Sequence, residues 1–163
     1  MKGLIFAGSL EEARAAAAAF TRAGHPTIAL DGQTAQDERE AAIERLTHGM
    51  GPNRLEYIAT VDIFNEGVDI PEVNQILMLR RTESAIVFVQ QLGRGLRRAA
   101  DKEYVIVLDF IGNYEKNYLI ATALSDDRSY SKEKLRRFVT TGAERIPGAS
   151  SIHFDEVARS RIY

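Results

Sequence analysis

The sequence has no cysteine and no tryptophan. The first of these absences removes disulfide cross-links, thiolate metal sites and a cysteine nucleophile together. Three histidines occur, His25, His48 and His153, and their separations match no metal-ligand spacing. No stretch approaches the roughly 18 consecutive apolar residues of a membrane-spanning helix. The amino-terminal segment MKGLIFAGSLEEARAAAAAF carries Glu11 and Glu12 where a secretory signal keeps an unbroken apolar stretch. Together these absences predict a cytoplasmic protein with no membrane contact and no metal ligands of its own. The net charge is only −2, so nothing drives the whole molecule onto a polyanion, and any such contact has to be local.

What is present is the make-up of a folded domain: 163 residues, 45% hydrophobic and 27% charged, enough to bury a proper core. Short apolar runs alternate with segments of helical period, which predicts βαβ units and a parallel sheet. The run GLIFA reads as a strand. Ser9 then caps a helix, with Glu12 placed for a capping box, and the alanine-rich stretch carries that helix to Gly24. TIAL reads as the next strand, followed by the turn DGQ, a helix from about Thr34 to His48 and a stop at Gly49. LEYIAT, QILML and YVIVLDF complete a count of five strands, with a helix from Ser84 to about Leu92 before the last. The expected fold class is α/β: a parallel sheet of five or more strands flanked by helices over residues 1–112, and a helical extension over 113–163. In that extension Tyr114, Tyr118 and Phe138 read as packing residues rather than stacking platforms.

One local charge excess stands out. Between Arg80 and Lys102 six basic residues face two acidic ones, and Arg94, Arg97 and Arg98 fall within five positions, in QQLGRGLRR. In the helix before them Ala85, Phe88, Val89, Leu92 and Leu96 form one apolar stripe, and the arginines lie off it. Arginine beside glycine suits a polyphosphate, because the planar guanidinium donates two parallel hydrogen bonds and stays charged. A solvated helix face accounts for the same cluster. Upstream, FNEGVDIPEV places Asp69 two residues after Gly67 in a loop that follows a strand. Such loops line the ligand crevice of parallel sheets, although a turn with a local aspartate hydrogen bond fits the same residues.

In order and spacing these elements resemble the carboxyl-terminal RecA-like domain of superfamily 2 helicases, over roughly residues 2–113. The Q/H-x-x-G-R-x-x-R motif of that family is matched by Gln90, Gly93, Arg94 and Arg97. The preceding motif resembles TVDIFNEGVDIP at Gly67 and Asp69. Its threonine position is occupied by Val61, and Thr60 stands one earlier. LIFAGSLEEA is similar to a further family motif, and QDER to a short Q-x-x-R signature at Gln36 and Arg39. The string from Asp62 to Tyr114 is similar to bacterial proteins of the type III restriction and DEAD/DEAH groups.

The resemblance implies roles. Arg97 becomes the arginine finger on the γ-phosphate of ATP and Arg94 a second contact. Gln90 orients the finger or links nucleotide to nucleic acid or, equally, caps the helix before it. Gly67, Asp69 and Gly93 belong to the nucleotide site, with Asp69 on a ribose hydroxyl. DNA or RNA is expected to cross the loops at Gly8 to Ser9, at Gly32 to Gln36 and at Thr60, with Arg39 adding charge; an ion pair from Arg39 to Asp37, Glu38 or a residue one turn on is the alternative. No G-x-x-x-x-G-K-[ST] loop and no DEAD-type acidic motif occur. Mg²⁺ ligands are therefore expected from an amino-terminal RecA-like domain, and this chain alone is expected to bind ATP poorly and not to hydrolyse it. Two rival classes are a non-catalytic nucleic-acid or partner-binding domain of a restriction or defence complex, and a nucleotide-binding α/β enzyme. The turn AGSLEEA lacks the glycine fingerprint of the latter.

Overall fold

The run Gly-Leu-Ile-Phe becomes the central strand β1 (Gly3–Phe6), with all four residues buried. Continuous apolarity is what a strand covered on both faces requires. The computed structural model describes residues 1–61, 70–80 and 102–110. Along them follow α1 (Leu10–Arg22), β2 (Thr27–Leu30), α2 (Gln36–Thr47), a 3-10 turn at Gly51–Asn53, β3 (Tyr57–Thr60), β4 (Gln75–Met78) and β5 (Ile106–Asp109). The predicted helix from Ser84, the arginine segment and the extension over 113–163 lie outside the described residues.

The strands form a five-stranded sheet in the order β2-β3-β1-β4-β5, and every pairing is parallel. The chain leaves β1 toward β2 on one side, whereas β3 leads on to β4 on the other. Right-handed crossovers taken in opposite directions place their connections on opposite faces. Accordingly Ala13 and Ala17 of α1 pack with Ile5, Ala7, Tyr57, Ala59 and Leu77 on one face. Leu4, Phe6, Ile58, Ile76 and Met78 alternate with these and are no more than 2% exposed on the other. There α2 lies against β3 and buries Ala42 and Leu46. Each fully buried aliphatic side chain contributes about 1.5–3 kcal/mol. The alanine run in α1 thus does more than favour a helix, since its small inner side chains let the helix sit close to the sheet.

Local signals explain the element ends. Ser9 has extended backbone, φ −147° and ψ 161°, and its hydroxyl accepts the Glu12 N–H. At the other end of α1, Gly24 adopts φ +93°; its N–H donates to the Thr21 carbonyl and that of His25 to the Phe20 carbonyl. This paired closure requires a residue tolerant of positive φ. α2 starts two residues later than Thr34 because the Thr34 hydroxyl accepts the Asp31 N–H, at 3.0 Å, instead of capping the helix. β3 is shorter than LEYIAT because the Leu55 N–H donates to the Arg45 carbonyl of α2 rather than to the sheet.

At the amino-terminal edge the Tyr57 ring lies over Gly3, where any Cβ would collide with it. Phe20 meets the Tyr57 ring edge-on, 4.9 Å between centroids, and the Tyr57 hydroxyl donates to Gln75 Oε1 at 2.5 Å, across β1. Beside it Glu56 joins two side chains: Oε2 stands 2.8 Å from His25 Nδ1 and Oε1 3.0 Å from Arg54 Nη2. The hydrogen bond to His25 and the charge of Arg54 outweigh partial burial and hold the Glu56 carboxyl below the usual glutamate range. A carboxylate whose folded pKa is depressed stabilises the fold above its unfolded value, and that contribution disappears as pH falls through the folded value. Glu56→Gln is therefore expected to lower the thermal midpoint at neutral pH, with the two melting curves converging as the pH drops below the ordinary glutamate range. A midpoint difference that is unchanged between neutral and acidic pH would contradict this.

Candidate functional site

In open parallel sheets ligands settle at the carboxyl ends of the strands, where adjacent connections depart in opposite directions. That place here is the seam between β1 and β4. Leu79 and Arg80 donate their N–H groups to the Phe6 carbonyl at 2.9 and 3.0 Å. A Cβ added to Gly8 would stand 3.9 Å from that of Arg80, so the two strand exits run side by side.

The turn out of β1 is closed by its own side chains. Ser9 Oγ accepts the Glu12 N–H at 3.1 Å, and Glu12 Oε2 accepts the Gly8 N–H at 2.5 Å. A bare helix N-terminus offers its N–H groups to phosphate; this one already holds a carboxylate, and a second anion would be repelled. The described residues of this turn therefore do not fit a phosphate.

The turn out of β2 is built differently. Asp31 Oδ1 accepts the Gln33 N–H at 2.9 Å and the Thr34 hydroxyl at 3.2 Å, which leaves Gly32 exposed at the tip. α2 then begins after Ala35 with no side-chain cap. Arg39 folds back from its first turn so that Nη2 donates to the Gly32 carbonyl at 2.9 Å. Its Nε is buried without a hydrogen-bond partner. The ion pair weighed as its alternative is not made among the described residues; the backbone of the loop takes its place. Gln36, exposed, donates through Nε2 to Glu40 Oε1 at 2.9 Å.

Thr60 ends β3, level with Phe6 and Leu30. It is completely buried, and its hydroxyl has no hydrogen-bond partner. A buried hydroxyl left unsatisfied costs about 1–3 kcal/mol. A ligand on the surface cannot reach this side chain as it stands, and half-buried Val61 is the first residue beyond it.

Ser9, Gly32, Gln36 and Arg39 are thus brought to one edge of the sheet, with Thr60 beneath it. Arg97, Arg94, Gln90, Gly67, Asp69 and Gly93 lie outside the described residues. The sequence reading passed over Asp31; it placed Glu12 in a capping box, and the carboxylate reaches the Gly8 N–H, one residue before Ser9. The pattern D-x-x-T at a strand end was a signal for Asp31. Among the described residues no group of three His, Asp or Glu could hold a metal ion, and no helix is long and apolar enough to cross a membrane.

With this geometry the comparisons are informative. Residues 1–99 match the family of the helicase conserved C-terminal domain. The chain belongs to that family. It is 33% identical over 110 residues to the ATP-dependent helicase IRC3 of Saccharomyces cerevisiae, covering 68% of this chain and 15% of that protein. It is 27% identical over 96 residues to the ATP-dependent RNA helicase SrmB of Escherichia coli, covering 59% of this chain and 21% of that protein. The chain therefore spans well under a third of the length of these relatives. Among solved structures, the E. coli DEAD-box protein SrmB bound to regulator of ribonuclease activity A aligns with a TM-score of 0.61 at 21% identity, over 78% of this chain and 70% of that one. The yeast DEAD-box splicing factor Prp28 aligns at 0.64 and 16% identity, over 98% and 30%. These likenesses establish the fold as RecA-like.

The cap at Ser9 gives a direct test. Ser9→Ala removes the acceptor for the Glu12 N–H and is expected to destabilise the domain by about 1 kcal/mol in denaturant unfolding, while Ser9→Asp retains the stability. Equal stability of Ser9→Ala and the wild type would show that the cap is not maintained in solution.

Proposed function

We infer that this chain is the second motor lobe of an ATP-dependent nucleic-acid helicase or translocase, and that it completes an ATP site whose phosphate-binding half lies in an amino-terminal RecA-like lobe. The observation that carries this reading is the coincidence of family membership over 1–99 with the run Gln90, Gly93, Arg94, Arg97 inside that span. The turn out of β1, sealed by Glu12, supports the division of labour, because it gives the β- and γ-phosphates no cradle in this lobe.

In this reading ATP is the substrate. Water attacks the γ-phosphorus as the oxygen bridging to the β-phosphorus leaves, and negative charge spreads over the transferring group. Arg97 meets that charge as the arginine finger, Arg94 provides a second contact to the γ-phosphate, and Gln90 orients them. Asp69 accepts from a ribose hydroxyl, with Gly67 and Gly93 letting the backbone approach. Mg²⁺, when bound, neutralises phosphate charge, and its ligands come from the other lobe.

Nucleic acid runs along the carboxyl edge and is held mainly by its phosphates, hence with little sequence preference. The exposed tip at Gly32, the adjacent Gln36 and the uncapped start of α2 face that track. Arg39 is braced there by the Gly32 carbonyl. Position 60 contributes through the strand end and Val61, since the Thr60 side chain is enclosed. Kinship with bacterial restriction-type motors, and the choice between DNA and RNA, belong to this proposal.

The test is Arg97→Ala in the full-length protein. An arginine finger is worth on the order of 10³ to 10⁵ in rate, so hydrolysis is expected to fall by about 10³ or more while nucleotide binding is largely kept. Turnover within tenfold of wild type would overturn the assignment.

A further inference from the structure

The loop between β2 and α2 is held by a carboxylate to which the activity inferred above gives no task. The Asp31 N–H donates to Thr34 Oγ1 at 3.0 Å, the Gln33 N–H to Asp31 Oδ1 at 2.9 Å and the Thr34 N–H to the Asp31 carbonyl at 3.1 Å. Of the N–H groups from Asp31 to Thr34, that of Gly32 alone has no partner among the described residues.

The direction of that N–H follows from the chain. A trans peptide points its C=O and N–H to opposite sides, and none of the described peptide bonds is cis. The Asp31 carbonyl is turned inward to the Thr34 N–H, so the Gly32 N–H on the same peptide plane is turned outward. Gly32 is exposed, and a Cβ placed on it would meet nothing within 4 Å. The next peptide plane is fixed from both sides: its carbonyl accepts from Arg39 Nη2 at 2.9 Å, and its N–H is the one bound by Asp31. The loop thus presents one backbone donor to solvent in a set orientation.

We propose that Asp31 is a positioning residue for nucleic-acid binding, holding this loop so that the Gly32 N–H donates to a phosphate oxygen of the bound strand. The proposal rests on the reading above that nucleic acid runs along this edge. Charge alone argues the other way, because a carboxylate beside a phosphate track repels it. Geometry gives Asp31 its favourable part. Its Oδ1 accepts two bonds, from the Gln33 N–H and from the Thr34 hydroxyl at 3.2 Å, and bonds to an ionised acceptor are the stronger kind. Opposite signs for charge and geometry make the two separable: asparagine keeps an acceptor at Oδ1 and drops the charge, whereas alanine drops both.

The experiment measures equilibrium binding of the full-length protein to single-stranded oligouridylate, single-stranded oligothymidylate and a DNA duplex. The probe that the wild type binds most tightly is then used for the variants, with ATP turnover followed as it is titrated. Asp31→Ala is expected to weaken binding roughly threefold to tenfold, the worth of about one hydrogen bond. The probe concentration at half-maximal turnover rises by a like factor, with kcat at saturation little changed. Asp31→Asn is expected to bind as the wild type does or more tightly. An alanine variant that binds at least as tightly as wild type shows that only charge acts at position 31 and overturns the proposal, as does an asparagine variant as weak as alanine. A fall in kcat at saturation with no change in the half-maximal concentration marks a merely structural role and overturns it too. Should Asp31→Ala not fold, Thr34→Val, which removes the hydroxyl from the same turn, carries the same expectation; failure of both to fold makes the turn a folding element and also overturns it. A wild type that binds none of the probes brings down the motor reading itself, whereas wild-type binding beside an unaffected Asp31→Ala removes only the positioning role.

Discussion

Everything in this domain depends on β1 being hydrogen-bonded on both sides, to β3 and to β4, while the connections of its neighbourhood leave in opposite directions. The double pairing satisfies the backbone of a strand that water never reaches and lets Leu4, Ile5 and Phe6 bury themselves on alternating faces. The divergent departures send α1 to one face and α2 to the other. Among the described residues no helix covers the carboxyl edge between β1 and β4. The divergence of the connections is what makes that edge the place for a site.

That open edge is chemically one-sided. At the first strand exit a glutamate occupies the amide that a phosphate would want, and at the second an arginine is braced against a glycine carbonyl. On the proposed reading the edge meets an extended polyanion near Gly32 and Arg39 and turns a triphosphate away from Gly8. In that reading the lobe works on a nucleotide from the outside, by reaching toward a phosphate held elsewhere.

Much of the fold was legible because each strand announced itself as a short apolar run and each helix of the first half carried an end signal. Ser9 with Glu12, and Gly24 after the alanines, are signals whose physical cause is local. Where the reading slipped by a residue or two, a side chain had a second use: Thr34 closes the Asp31 turn instead of capping α2, and the Leu55 amide serves the end of α2. The apolar run before Phe110 did mark a strand. It did not show that β5 would be the edge, with Ile106 and Leu108 42% and 43% exposed. The candidate site was legible as residue types at a spacing, but hydrogen-bond partners were not. No pattern announces that Arg39 bonds a backbone carbonyl or that Thr60 is enclosed, because each depends on how a loop folds over a neighbour.

The central claim is that this lobe supplies an arginine to a phosphate bound by another lobe. It is tested most directly by the structure of the full-length protein with a non-hydrolysable ATP analogue and a nucleic-acid strand. The account predicts the Arg97 guanidinium at about 2.7–2.9 Å from a γ-phosphate oxygen, with Asp69 on the ribose of the same nucleotide. An Arg97 side chain packed under the sheet, or turned away from the nucleotide in that complex, would contradict it.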